Sequence, residues 1–211
     1  MPSAASPSRS KKVLHAAERD ETVRAAWWQE TQTFDPTDLV FVDESGTNLG
    51  MAPRYGRAPR GQRVVGTVPR NQGTNTTLFA AMDLTGITAA MTLEGAADGV
   101  AFEVFVARIL APVLRPGQIV VWDNLSVHKR AAAQRLIEAR GCRVHFLPPY
   151  SPDFSPIELA FSKLKTYLRR VRARTRAALE EAITAGLRTI TAADACAWFV
   201  HCGYTASPQL F

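Results

Sequence analysis

The chain has 211 residues, 46% of them hydrophobic and 21% charged, with 13 Gly and 13 Pro. That is the make-up of one globular domain with short appendages, large enough to bury a core of its own, and it excludes collagen-like and wholly disordered polymers. The balance of 25 Lys and Arg against 19 Asp and Glu gives a net charge of +6. No run of about 18 apolar residues signals a membrane span, and no apolar segment follows the polar start as it does in a secretion leader.

Residues 1–10 are small and polar with two prolines, which predicts a disordered start. From Lys11 to about Gln32, Val13, Leu14, Ala17, Val23, Trp27 and Trp28 recur at helical spacing, so residues 11–34 read as a helical linker or arm. The two tryptophans belong to that apolar stripe and read as packing residues rather than as platforms for bases.

Leu39-Val40-Phe41-Val42 is a continuous apolar run, as expected of a strand buried on both faces, and it stops at Asp43-Glu44-Ser45-Gly46. The next stretch, 50–74, is rich in Gly and Arg and carries Arg54, Arg57, Arg60, Arg63 and Arg70 with no acid among them. Thr76–Met82 and Gly86–Leu93 are β-rich runs about the turn-like Asp83-Leu84-Thr85-Gly86, which predicts a hairpin. Residues 99–111 carry Phe102, Phe105, Val106, Ile109 and Leu110, a helical set apolar enough to pack deep against a sheet and to end near Pro112.

Gln118–Trp122 is a fourth strand and, like the first, runs into an acid, Asp123. Lys129–Arg140 reads as a helix closed by Gly141, and Arg143–Leu147 as a fifth strand before the proline-rich loop Pro148–Pro156. Ser155 suits a helix N-cap with Pro156 at the first helical position, and Ile157, Phe161, Leu164, Leu168 and Val171 make the buried seam of the helix that follows. Beside that seam Glu158, Ser162, Lys165 and Arg169 share a stripe, which sets one carboxylate at the head of a basic track. Two more helices are expected near 176–188 and 192–202, the second capped by Thr191 and stopped by Gly203.

The order of three strands, helix, strand, helix, strand, helix predicts an α/β fold with the ribonuclease H-like arrangement. Its mixed five-stranded sheet has three antiparallel strands and then parallel crossovers, is flanked by helices, and occupies residues 35–175, with 176–211 a C-terminal helical extension. Three cysteines, Cys142, Cys196 and Cys202, are odd in number and lack any paired metal-binding spacing, which suits a reducing, intracellular compartment and gives no zinc site. Two separate acid-free basic runs, 54–70 and 163–176, make a polyanion the natural partner.

Asp43, Asp123 and Glu158 stand out because they end two strands and open a helix. If the first and fourth strands are neighbours, the two aspartates repel unless a cation joins them, and an all-oxygen set suits Mg²⁺. Two such ions can activate water on one side of a phosphodiester and stabilise the leaving oxygen on the other. Taken singly, each acid also suits an ordinary strand end or first helical turn.

Phe41-Val-Asp-Glu-Ser-Gly46, Val121-Trp-Asp-Asn-Leu125 with His128-Lys129, and Leu147-Pro-Pro-Tyr-Ser-Pro-Asp-Phe-Ser-Pro-Ile-Glu158 resemble the three signatures of DDE transposases. The spacing of Asp123 and Glu158 is similar to that of the mariner superfamily and its bacterial insertion-sequence six-thirty branch, and the likeness runs from about Lys11 to Tyr204. The resemblance implies a two-metal nuclease and strand transferase that cuts transposon ends and joins the freed 3′-hydroxyl to target DNA, in a bacterial cytoplasm and associated with the nucleoid. It makes residues 35–175 the catalytic domain and Asp43, Asp123 and Glu158 the catalytic ligands of two Mg²⁺ or Mn²⁺ ions, with Glu44 and Asp153 ranked below them.

Asn124, His128 and Lys129 are implied as supporting or DNA-contacting residues, and Arg54, Arg57, Arg60, Arg63, Lys165 and Arg169 as the DNA-binding set. The expected partners are double-stranded DNA, both transposon end and target, and a second copy of the chain. Family members carry a helix-turn-helix region ahead of this domain, and its lack here resembles a second reading frame served by an upstream product, or a truncated copy. The alternatives are a DNA-binding remnant that does not cut and another ribonuclease H-like nuclease.

Overall fold

The computed structural model describes residues 16–123 and 131–205. Helix α1 spans Glu21–Thr31 and begins later than its apolar spacing predicts, because the Asp20 carboxylate accepts the N–H groups of Thr22 and Val23 and caps the helix there. Residues 11–15 of the expected arm lie outside the described residues.

Strands β1 (Leu39–Thr47), β2 (Thr76–Asp83), β3 (Gly86–Glu94), β4 (Ile119–Trp122) and β5 (Arg143–Phe146) form one sheet in the order β3-β2-β1-β4-β5. β1 pairs antiparallel with β2 and parallel with β4, β2 pairs antiparallel with β3, and β4 pairs parallel with β5. This is the mixed sheet expected from the order of elements. One expectation is corrected: β1 does not stop at Val42 but continues through Asp43 to Thr47, held by β2 along its other edge. Only its parallel ladder with β4 ends at Val42, opposite Trp122.

Alternation along β1 divides the core in two. Leu39 and Phe41 face a layer that includes Ile157, Phe161, Leu164, Phe199 and Tyr204. Val40 and Val42 face the opposite layer, built from Phe102, Phe105, Leu110 and Ile137. The second layer comes from helices α2 (Gly99–Phe105) and α3 (Ala131–Glu138). After α2 the chain widens into a π-turn over Val106–Leu110 and tightens over Ala111–Val113, where Pro112 lacks the N–H that the Arg108 carbonyl would accept.

Helices α4 (Ile157–Val171), α5 (Arg176–Leu187) and α6 (Ala192–His201) cover the first layer. Thr191 and Asp194 form a reciprocal capping box at the start of α6, and Gly203, at φ +94°, turns the chain at its end. Pro156 adopts helical dihedrals ahead of α4, but no side chain caps that terminus, so Ser155 does not do so. Among the described residues no helix is long and apolar enough to cross a membrane.

Candidate active site

Val42 and Trp122 form the last rung of the β1–β4 ladder, so the chain delivers Asp43 and Asp123 as the next residues of adjacent parallel strands. Asp43 shares the face of Leu39 and Phe41 and therefore looks toward α4, whose first turn carries Glu158. All three acids line one cleft of about 490 Å³, with Leu147, Pro148, Pro149, Tyr150, Ser151 and Pro152 along its other wall.

The cleft is electrostatically strained. Burial pushes the Asp43 carboxyl up to about 8, and repulsion from Glu158, Glu44 and Asp123 adds to the rise, against a 2.8 Å hydrogen bond from the Glu44 backbone N–H to its Oδ1. The Glu158 carboxyl is also raised, first by desolvation against the cleft wall although the residue as a whole is exposed. The Lys165 ammonium, two turns along the same helix face, draws it back down, and Asp123 and Glu44 push it up. Carboxylates that repel one another in a desolvated cleft are a donor set for a hard divalent cation, which removes the repulsion. Among the described residues no group of three His, Cys, Asp or Glu side chains is already gathered closely enough to hold an ion.

Glu44 follows Asp43 on the opposite face of β1, yet its charge acts on both Asp43 and Glu158. The motif ranks it low because its neighbour Asp43 is the residue that matches. The Asp153 carboxylate is turned toward α1, where Arg24 donates to it through both terminal nitrogens, Nη1 at 3.1 Å and Nη2 at 2.7 Å. Asn124, His128 and Lys129 lie outside the described residues.

The cleft wall contains a backbone feature that no motif announces: Tyr150 holds φ +55°, a region in which a residue with a bulky side chain is strained. The residue stays 54% exposed and lines the cleft.

The basic residues divide by task. Arg54, Arg57, Arg60 and Arg63 are all exposed on the irregular segment between β1 and β2. Lys165 and Arg169 are half-buried on the Glu158 stripe of α4. The rest of the second basic run is partly structural. Lys163 pairs with Asp194 at 2.6 Å, Arg174 donates to the carbonyls of Leu49 and Met51, and Arg176 pairs with Glu94 and Glu180.

The family model of the DDE superfamily endonucleases matches residues 38–180. Among solved structures the chain is similar to a pre-cleavage Mos1 transpososome, at 15% identity and a TM-score of 0.72, over 93% of this chain and 63% of that one. The Mos1 mariner paired end complex with Mn gives 15% identity and a TM-score of 0.73, over 93% and 63%. The catalytic domain of Mos1 mariner transposase alone gives 12% identity and a TM-score of 0.64, over 90% and 91%. The chain thus spans less than two thirds of the chains in the transpososome and the paired end complex and most of the isolated catalytic domain. No curated protein matches it significantly.

Proposed function

With the chain a member of the DDE superfamily endonuclease family, we propose that it is the catalytic domain of a transposase, in which Asp43, Asp123 and Glu158 hold two divalent cations, Mg²⁺ or Mn²⁺. The observation that carries this reading is the meeting of three acids, from β1, from the residue after β4 and from α4, in one cleft where burial and mutual repulsion push the Asp43 carboxyl up to about 8. When bound, such ions supply Lewis acidity for attack on a phosphodiester and for departure of its leaving oxygen.

The chain's own residues position and screen. Asp43 lies on a central strand, Asp123 directly follows its parallel neighbour, and Glu158 sits in the first turn of a helix whose seam is buried, so a cation needs only to draw the three carboxylates together. Lys165 and Arg169 extend from Glu158 along α4 as a track for the sugar–phosphate backbone, and Arg54, Arg57, Arg60 and Arg63 offer a second one. Pro148, Pro149 and Tyr150 wall one side of the cleft. Asn124, His128 and Lys129, following Asp123 in sequence, are proposed to support it or to contact DNA. Duplex DNA is the proposed partner, with end recognition by a helix-turn-helix module and assembly through a second copy of the chain.

The test is a substrate panel of duplex carrying the element's end, duplex of unrelated sequence and RNA–DNA hybrid, each with Mg²⁺ or Mn²⁺ and with or without the upstream product. Cutting of the end duplex, followed by joining of its 3′-hydroxyl to a second duplex, is the expected result. Preference for the hybrid transfers the assignment to another ribonuclease H-like nuclease, and salt-sensitive DNA binding without cutting transfers it to a non-catalytic remnant.

A further inference from the structure

The loop that leads into Glu158 is gripped from outside the sheet. Phe154, four residues before Glu158, stacks on Trp27 at 5.2 Å between ring centroids and 10° between planes, and on Trp28 at 5.1 Å and 25°. The Arg24 guanidinium lies 4.0 Å from the centre of the same ring while its two terminal nitrogens bind Asp153. From the other end of the chain, the Tyr204 hydroxyl donates to the Phe154 carbonyl at 2.6 Å. Little slack remains beyond the grip: Pro152 and Pro156 fix two φ angles, the Ser155 N–H donates to the Pro152 carbonyl, the Glu158 N–H donates to the Ser155 carbonyl, and Ile157 is fully buried.

Packing alone does not require this chemistry. Arg24 is only 4% exposed, and burying a guanidinium is costly unless it is paired; an apolar side chain would fill the space at lower cost. What a planar, two-pronged pair adds is orientation. We infer that Arg24 and Tyr204 are positioning residues for Glu158: α1 and the segment after α6 together fix the loop that sets where this carboxylate enters the cleft. The inference rests on the assignment of Glu158 as a metal ligand, and it makes the chain on either side of the sheet domain part of the catalytic apparatus.

The test uses the full chain with Arg24→Lys, which keeps the charge but not the fork, and Tyr204→Phe, which keeps the ring but not the hydroxyl. Amide hydrogen exchange over residues 151–159 is read in the absence of substrate. Activation by Mn²⁺ is read from the rate of duplex cutting, with thermal melting to check that each variant folds. Exchange of the loop amides is expected to rise while the rest of the sheet stays protected. The Mn²⁺ concentration needed for half activation rises by about 10–100-fold, with the KM for DNA unchanged and the rate recovering at high Mn²⁺. A lower melting temperature with unchanged loop exchange and an unchanged Mn²⁺ curve overturns the inference, since that is what loss of packing alone gives. A wild-type chain that cuts no duplex with either metal, even with the upstream product present, overturns the transposase assignment instead. The exchange result needs no cutting, so it separates the two failures.

Discussion

Val42 and Trp122 close the parallel ladder between β1 and β4, and the residue after each is an aspartate. Two strands that part at the same level thus present two carboxylates side by side, and the first turn of α4 adds the third. The fold gathers negative charge where it can least be dispersed, and the behaviour of the protein without metal follows from that.

In the absence of divalent ions, Asp43→Asn raises the melting temperature at pH 8 by about 3–6 °C. The sign follows from linkage. A carboxyl whose pKa is raised by folding, here to about 8, costs nothing below its unfolded value near 4; the cost grows as pH rises between the two values and is constant above about 8. The gap between variant and wild type therefore closes at pH 4, and saturating Mg²⁺ or Mn²⁺ narrows it at pH 8. Melting curves at pH 4, 6 and 8 with and without metal check this, and an equal gap at every pH contradicts it.

Asp194 presents the opposite sign. Its hydrogen bond from Lys163, then those from Thr191, hold its carboxyl down to about 2. Its stabilisation is present above the unfolded value near 4 and is lost as pH falls toward 2. Asp194→Ala, which removes both the capping box and the Lys163 pair, is expected to cost about 1–2 kcal/mol at pH 7. Denaturant unfolding should show most of that difference gone near pH 2.

Much of the architecture is legible in the sequence because strongly apolar segments have few alternatives. Leu39–Val42 and Ile119–Trp122 can only be buried strands, and the seam from Ile157 to Leu168 can only face a core, although Val171, expected to continue it, is 45% exposed. The three acids are legible because each sits where an element begins or where a strand pairing ends, a position that spacing marks. The extent of β1 was less so: Asp43-Glu44-Ser45-Gly46 looks like the stop of an apolar run, and it is the ladder with β2 that keeps it extended. The grip on Phe154 was not legible at all. Arg24 and Asp153 are 129 residues apart, and nothing local to either says that they meet. The stripe containing Trp27 and Trp28 indicates burial without indicating against what.

The basic residues make a paired prediction. Replacing both Lys165 and Arg169 by Ala should weaken binding to duplex DNA of any sequence and lower the slope of log affinity against log salt by about 2. Arg174→Ala should leave that slope unchanged and instead lower stability by about 1–3 kcal/mol, because it strips two donors from the carbonyls of Leu49 and Met51. Anisotropy titrations at several salt concentrations, set beside unfolding curves, distinguish the two; a loss of slope in Arg174→Ala contradicts the division of tasks.

Gly203→Ala tests the turn behind α6. At φ +94° a side chain is strained, and a β-carbon there would come within 2.7 Å of the Trp28 ring, itself stacked on Phe154. The expected cost is about 2–3 kcal/mol. Unfolding in urea measures it, and a change below about 0.5 kcal/mol would mean that the ring yields freely.

The most direct measurement is single-turnover cutting of a labelled duplex carrying the element's end, with the upstream product present, by the wild-type chain, Asp43→Asn, Asp123→Asn and Glu158→Gln across a titration of Mn²⁺. The account predicts that the wild type cuts only with divalent metal and that each substitution lowers the rate by at least about 10²-fold while the variants stay folded and still bind DNA. Cutting that persists in any of the three variants at the wild-type rate and wild-type metal requirement would contradict it.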